Sequence, residues 1–360
     1  MNLYVHVPFC RSKCKYCDFT SYPGREEFIP AYLQALEREI LSLSNLKCEI
    51  NTLFVGGGTP SMLSAAQIKQ LLGIIRDNFD CSGLKEFTFE SNPESLSKDK
   101  LEALLDFDRK TRLSIGVQSC LDEHLQTLGR IHSTADFLEK YALALMTGFE
   151  NINIDLIYGI PGQTVKGWLV ELKKAVELKP QHISAYCLTV SPETQFGRDG
   201  VAVNDETTAE MYRGAVEMLT GAGYSHYEIS NFALPGYECE HNKNYWRNGE
   251  YTGIGCSAVS HANAARCKNT VSLEKYIENA GTDKIKEETD RPGAESKLSE
   301  TIMLGLRMRS GMELTPEIHS KYAGVIDGFV KDGYMGVAGG RFFITPKGFF
   351  VSNRILTEFF

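Results

Sequence analysis

Cys10, Cys14 and Cys17 stand within eight residues as C-x3-C-x2-C, and three thiolates that close together can hold a compact metal centre. Structural zinc takes four protein ligands and iron–sulfur clusters usually take four cysteines, yet no further cysteine occurs before Cys48. One metal position is therefore expected to stay open, and an open iron on a [4Fe-4S] cluster can bind a small chelating molecule. A three-cysteine zinc site completed by His6 or Asp18 is the alternative. Gly56-Gly57-Gly58, followed by Thr59-Pro60, lets main-chain groups approach a ligand that a Cβ would block. A side chain at Gly57 or Gly58 is expected to fill ligand space and leave the cysteine loop intact. Glu90 offers a carboxylate for an ammonium or a ribose, and Gln118, Arg130 and Asp155 add an amide, a cation and an anion. Further on, His241, Asn242, Tyr245 and Trp246 put one of only two tryptophans beside a histidine. Imidazole is a haem ligand and flat rings suit its macrocycle, although the same residues could simply pack a loop. The C-x-x-C-H pattern of covalent haem is absent.

These groups need a frame. β-rich runs at 3–7, 52–55, 86–89, 112–117, 152–158 and 182–188 alternate with amphipathic stretches at 28–43, 65–79, 121–128, 134–146 and 164–178. Repeated βα units build a parallel barrel or an open sheet. The cysteine loop, the glycine run and the segments holding Glu90, Gln118 and Asp155 each follow a strand. They would therefore share the rim where barrels carry their chemistry. The expected architecture is α/β, a partial (βα)6 barrel over 1–224, open on one side. An extension over 225–280 breaks the βα rhythm and carries the histidine motif. A charged linker is expected at 281–299, and a small α+β winged-helix-like domain at 300–360, with a hairpin turning at Gly339-Gly340.

Composition excludes several classes. The chain has 360 residues, with 46 acidic against 38 basic side chains for a formal charge of -8, a poor match to a polyanion. Residues 296–360 hold 8 basic and 6 acidic groups, so the winged domain is expected to pack or cover a ligand, and a zinc-stabilised nucleic-acid-binding protein is disfavoured. No apolar run is long enough to span a bilayer and the start lacks signal-peptide character, so a cytoplasmic protein is expected. Outside the cluster seven cysteines remain, an odd number, which argues against a disulfide framework.

The cysteine spacing, with Tyr16 just before the last thiol, resembles the signature of radical S-adenosylmethionine (SAM) proteins. The resemblance implies that SAM chelates the open iron through its amino and carboxylate groups, and that an electron from the cluster cleaves it to methionine and a 5'-deoxyadenosyl radical. From Tyr4 to the C-terminus the segments resemble the oxygen-independent coproporphyrinogen III oxidase family and its relatives. That implies SAM contacts for Tyr4, Tyr16, Gly57, Gly58, Thr59, Glu90, Gln118, Arg130 and Asp155. In the oxidases the last three serve a second SAM. His241-Asn242-x-x-Tyr245-Trp246 resembles the haem-binding motif of haem chaperones of the HemW type. Two departures from the oxidases agree: Phe19 stands where they carry a further cysteine, and the N-terminal extension before the tyrosine is missing. Cys120, Cys187 and Cys256 are unusual within the chaperone pattern, and Cys256 is expected near the pocket. The resemblance implies a haem chaperone with a [4Fe-4S] cluster, SAM and haem as cofactors, a haem-accepting protein and an electron donor such as a flavodoxin or ferredoxin as partners. The oxidase, decarboxylating coproporphyrinogen III, is the rival.

Overall fold

The computed structural model describes residues 1–43 and 47–360. Six strands follow one another as the periodicity predicts: β1 (Asn2–Val7), β2 (Thr52–Gly57), β3 (Glu86–Ser91), β4 (Arg112–Gln118), β5 (Ile152–Tyr158) and β6 (His182–Cys187). Between and after them run α1 (Ile29–Ser42), α2 (Ala65–Asn78), α3 (Lys98–Phe107), α4 (Asp122–Leu128), α5 (Thr134–Thr147), α6 (Val165–Glu177) and α7 (Asp205–Gly221). The strands pair in parallel in chain order, because each helical crossover returns the chain to the same end of the sheet. Ser64 and Ser133 start α2 and α5 with reciprocal capping boxes, and Gly148, at φ 107°, stops α5.

Side chains alternate across each strand. Leu3, Val5, Val7, Leu53, Val55, Phe87, Phe89, Leu113 and Ile115 make one face, wholly buried in the hydrophobic core. The opposite face carries Tyr4, His6, Phe54, Glu90, Ser114, Asp155 and Ser184, and it lines a polar lumen. Buried polar groups must be paired, and here the strands pair them crosswise. Asn153 donates to Ser114 Oγ at 2.8 Å, Ser114 donates to Asp155 at 3.0 Å, and His182 Nδ1 meets Asn153 Oδ1 at 2.6 Å.

The sheet is wider than the six expected strands. The extension adds β7 (Ser225–His226), β8 (Asn231–Ala233) and β9 (Thr252–Ile254), giving the order β9-β1-β2-β3-β4-β5-β6-β8-β7. β9 runs parallel to β1, whereas β8 runs antiparallel to β6. Strands of two or three residues leave no periodic signal, and the sheet partners of β8 and β9 on the barrel strands lie far away in sequence. Segment 281–299, expected to be a linker, is largely folded. It holds β12 (Lys286–Asp290), third strand of a small antiparallel sheet with β10 (Val259–Ala262) and β11 (Ala265–Asn269), and the first turns of α9 (Ala294–Gly305). Main-chain pairing with β11 outweighs the strand's fully exposed, charged side chains. Beyond it, α10 (Pro316–Lys331) and a three-stranded sheet of β13 (Met312–Glu313), β15 (Arg341–Ile344) and β14 (Met335–Ala338) form the C-terminal α+β unit, with the hairpin turning at Gly339-Gly340. Among the described residues no helix is long and apolar enough to cross a membrane. All ten cysteines are free thiols.

Candidate cofactor site

A cavity of about 340 Å³ opens at the C-terminal ends of β1–β6. Cys10, Cys14 and Cys17 line one wall, and Tyr16, Gly57, Gly58, Thr59, Glu90, Gln118, Arg130 and Asp155 line the rest. Eight of the nine residues expected at a SAM site thus meet in one place. Tyr4 does not line the cavity. It lies beneath, and its hydroxyl reaches His6 Nδ1 at 2.9 Å. His6 Nε2 stands 2.9 Å from the Thr20 carbonyl, an obligate acceptor, so Nε2 carries the proton and Tyr4 donates to Nδ1. Burial keeps this imidazole neutral, its pKa lowered to about 4. Tyr4 and His6 together thus brace the loop that carries the thiols.

Among the described residues no group of three His, Cys, Asp or Glu side chains is placed to hold a single metal ion. The proposed completions of a zinc site are engaged elsewhere, His6 as described and Asp18 as acceptor from Ser191 at 2.9 Å.

The glycine run is explained by what surrounds it. Gly57 has φ 114°, and a Cβ there would stand 2.7 Å from the His6 ring. A Cβ on Gly58 would come within 2.8 Å of the Phe9 carbonyl oxygen and 3.0 Å of Cys10 Sγ. Gly58 therefore makes room for the cysteine loop, contrary to the expectation that a side chain there would leave that loop intact. Gly58→Val should lower iron content after anaerobic reconstitution as well as SAM affinity, at an overpacking cost of about 1–3 kcal/mol. A full complement of iron in this variant would show that the loop yields freely.

Glu90 and Asp155 face each other across the lumen. Burial and then the Asp155 charge push the Glu90 pKa up to about 8, against the pull of the Gly57 N–H, which donates to it at 3.1 Å. Burial also raises Asp155, opposed by hydrogen bonds from Ser184, Asn153 and Ser114. At neutral pH Glu90 is therefore mostly protonated before a ligand arrives. A cationic ligand favours the carboxylate, so binding at pH 7 should release about one proton, with affinity rising with pH until about 8. Calorimetry in two buffers of different ionisation heat measures this. Equal heats in both buffers, or unchanged proton release in Glu90→Gln, would contradict it.

Arg130 spans the floor. Its guanidinium donates to Asn92 Oδ1 and the Gly116 carbonyl, each at 2.7 Å, and approaches Cys14 Sγ at 3.5 Å, while its Nε is buried without a partner. Gln118 sits at φ 70°, costly for any residue with a Cβ. The chain just after it is clamped by the buried Glu171, which accepts from the Ser119 hydroxyl and from Cys120 N–H at 3.0 Å. Sequence reasoning missed Asn92, which joins Thr59 Oγ1 to Arg130, and Tyr186 on the lining. Strand alternation carried the signal: Asn92 lies two residues beyond Glu90, and Tyr186 two beyond Ser184. Cys256, expected near the pocket, is buried against Tyr22 and the Thr270 carbonyl, and Cys187 lines the cavity instead.

The histidine motif forms α8 (Glu240–Trp246) and plugs the opposite end of the lumen. Glu86, at the start of β3, accepts from the N–H groups of Glu240 (2.8 Å) and His241 (3.1 Å) and pairs with Arg112 at 3.0 Å. Glu86 and Glu90 are separated by roughly 13 Å of strand at 3.3 Å per residue. A file of rings, Tyr4, Phe54, His241 and Tyr245, bridges this distance with centroids 6.1, 5.2 and 5.0 Å apart.

His241, read from the sequence as a haem ligand or as part of a packed loop, is sealed at 1% exposure. Nδ1 lies 2.8 Å from Thr52 Oγ1, whose single proton goes to Asn2, so Nδ1 is the donor. Nε2 keeps its lone pair and accepts from the Tyr245 hydroxyl at 2.9 Å. Burial lowers the pKa to about 4, so the ring is neutral. Asn242 N–H donates to Cys239 Sγ, and Trp246 is half-buried with an unpartnered Nε1.

A three-thiol loop and a glycine bed at the rim of a polar-lumened partial barrel are the parts of a radical SAM protein, and residues 4–174 match the radical SAM superfamily. The chain is 36% identical to the heme chaperone HemW of Lactococcus lactis subsp. lactis (strain IL1403), over 99% of this chain and 97% of that protein. To the HemW of Bacillus subtilis (strain 168) it is 34% identical, over 99% and 98%. To that of Escherichia coli (strain K12) it is 39% identical, over 72% and 69%. Among solved structures, coproporphyrinogen III oxidase (HemN) from Escherichia coli superposes with a TM-score of 0.85 at 24% identity, covering 99% of this chain and 89% of that one, a likeness of fold. The chain belongs to the HemW family of radical SAM proteins.

Proposed function

We propose that this protein is a cytoplasmic haem chaperone that binds a [4Fe-4S] cluster, SAM and haem and passes haem to an acceptor protein. The observation that carries the reading is the pairing, in one lumen, of the three-thiol cavity with a motif whose imidazole is neutral and keeps its Nε2 lone pair. The first site fits its cofactors: Arg130 Nε is a buried donor without a partner, Glu90 and Asp155 can answer a cation, and the glycine bed brings the main chain close. Cys10, Cys14 and Cys17 would hold the cluster, which supplies one-electron chemistry and an open iron for SAM. At the second site Trp246 offers a flat face and a spare N–H, whereas His241 reaches a metal only once the Tyr245 hydroxyl gives way. An electron donor with an acidic face would suit the exposed Arg11 and Lys15 on the cysteine loop.

Oxidative decarboxylation of coproporphyrinogen III is the competing activity, on the shared machinery and the fold likeness. Phe19, 66% exposed on the cavity wall, offers no thiol where the oxidases are expected to carry one. Reconstituted protein given coproporphyrinogen III, SAM and reductant should yield no decarboxylated porphyrinogen. Product accumulating as SAM is consumed would replace the chaperone reading with the oxidase.

A further inference from the structure

Where the C-terminal unit crosses the β7–β8 hairpin, two arginines stand without closing an ion pair. Arg307 and Arg309 flank Met308, which bridges to Glu228, and the crossing is fixed by Ile229 N–H to the Arg307 carbonyl at 3.1 Å and Arg309 N–H to the Tyr227 carbonyl at 3.0 Å. The Arg307 guanidinium lies 4.8 Å from the ring centre of Trp246, the last residue of the histidine motif. That of Arg309 lies 4.7 Å from the ring centre of Phe349. Among the described residues neither arginine side chain makes a hydrogen bond or an ion pair, and Arg307 Nε, Arg309 Nη1 and Trp246 Nε1 are all buried without a partner. Glu228 is wholly buried nearby, but one of its oxygens takes the Ser230 N–H and the other is unpartnered, so it does not close an ion pair with Arg307.

Stacking on aromatic rings orients a guanidinium and leaves its N–H fork unused. Two such forks are partly withdrawn from water, with Glu228 near enough to feel the Arg307 charge but not closed on it as an ion pair, and they are suited to a ligand that brings its own carboxylates. Both arginines and Trp246 remain partly exposed, so a ligand can reach them. A flat apolar face beside two carboxylate-matching forks and an indole donor is complementary to a planar tetrapyrrole with acidic side chains.

We propose that Arg307 and Arg309 form the carboxylate-binding end of the haem site, taking the propionates while Trp246 lies against the macrocycle. The assignment rests on the haem reading above, and it gives the C-terminal unit a direct part in binding.

The test titrates the full-length, reconstituted protein with haem and with haem dimethyl ester, delivered from the same co-solvent and followed in the Soret region. The parent should bind haem at least tenfold more tightly than the ester. Arg307→Gln combined with Arg309→Gln should bring haem affinity down to that of the ester and leave ester affinity unchanged. If the parent shows no preference, if the variant keeps it, or if the variant weakens both ligands equally, as a packing role requires, the arginine assignment is overturned while haem binding itself stands. If the parent binds neither, the haem reading falls and the assignment with it.

Discussion

Cys14→Ala is expected to yield a folded protein that cannot assemble its iron–sulfur cluster. Cys14 is a half-buried side chain on the cavity wall whose thiol meets the Arg130 guanidinium at 3.5 Å, so truncation removes little packing. It does remove one of the three thiolates that the C-x3-C-x2-C loop brings to the cavity. Reconstituted parent should contain about four irons per chain, and the variant close to none. Cys48→Ala and Cys81→Ala are the controls. Cys48 Sγ faces Met1 Sδ at 3.8 Å and Cys81 Sγ faces the Phe79 carbonyl at 4.0 Å, and neither lines the cavity. Both should keep the full iron content. A cluster that forms in Cys14→Ala would remove the ligand assignment.

Arg112→Ala should cause the largest loss of stability. The Glu86–Arg112 pair is almost completely withdrawn from water, with side chains 7% and 4% exposed. Although burial alone would raise it, the Glu86 carboxyl is held below its usual range by Arg112 and by the N–H groups of Glu240 and His241. Arg112 also donates to the carbonyls of Tyr237 and Glu238 at 2.8 and 3.3 Å, and so ties the chain leading into α8 to the sheet. Losing one partner of a buried pair costs about 3–5 kcal/mol, a large share of the roughly 5–15 kcal/mol that holds a typical protein folded. Denaturant unfolding should show that loss. Lys69→Ala, which breaks an exposed pair with Asp106, should cost less than about 1 kcal/mol. Equal, small effects of the two substitutions would mean that Glu86 is satisfied by α8 alone.

The sequence made the parallel strands legible because each is a β-branched or aromatic run bounded by glycine, proline or polar residues, and their ends fall within two residues of expectation. The rim site was legible for the same reason, since its residues follow those strands. Tyr4 was harder to place. Its position on β1 puts it on the lumen face, but only the structure shows that its hydroxyl is used up on His6. Pairing of β9 with β1 joins residues about 250 positions apart, beyond any local pattern. The unpaired arginines were equally invisible, because what distinguishes Arg307 is a partner it lacks.

The central claim is that haem is held by the histidine motif, and a haem titration of parent, Tyr245→Phe and His241→Ala tests it most directly. In the ligand-free protein the Tyr245 hydroxyl donates to the one His241 nitrogen that can bind iron. Tyr245→Phe keeps the ring and removes that competitor, so it should bind haem more tightly than the parent, by roughly the worth of one hydrogen bond, about 0.5–1.5 kcal/mol. His241→Ala should weaken binding and reshape the Soret band while leaving the iron of the cluster in place. Identical Soret titrations for all three proteins would contradict the account, because His241 would then be a packed core residue and the haem, if bound, would be held elsewhere.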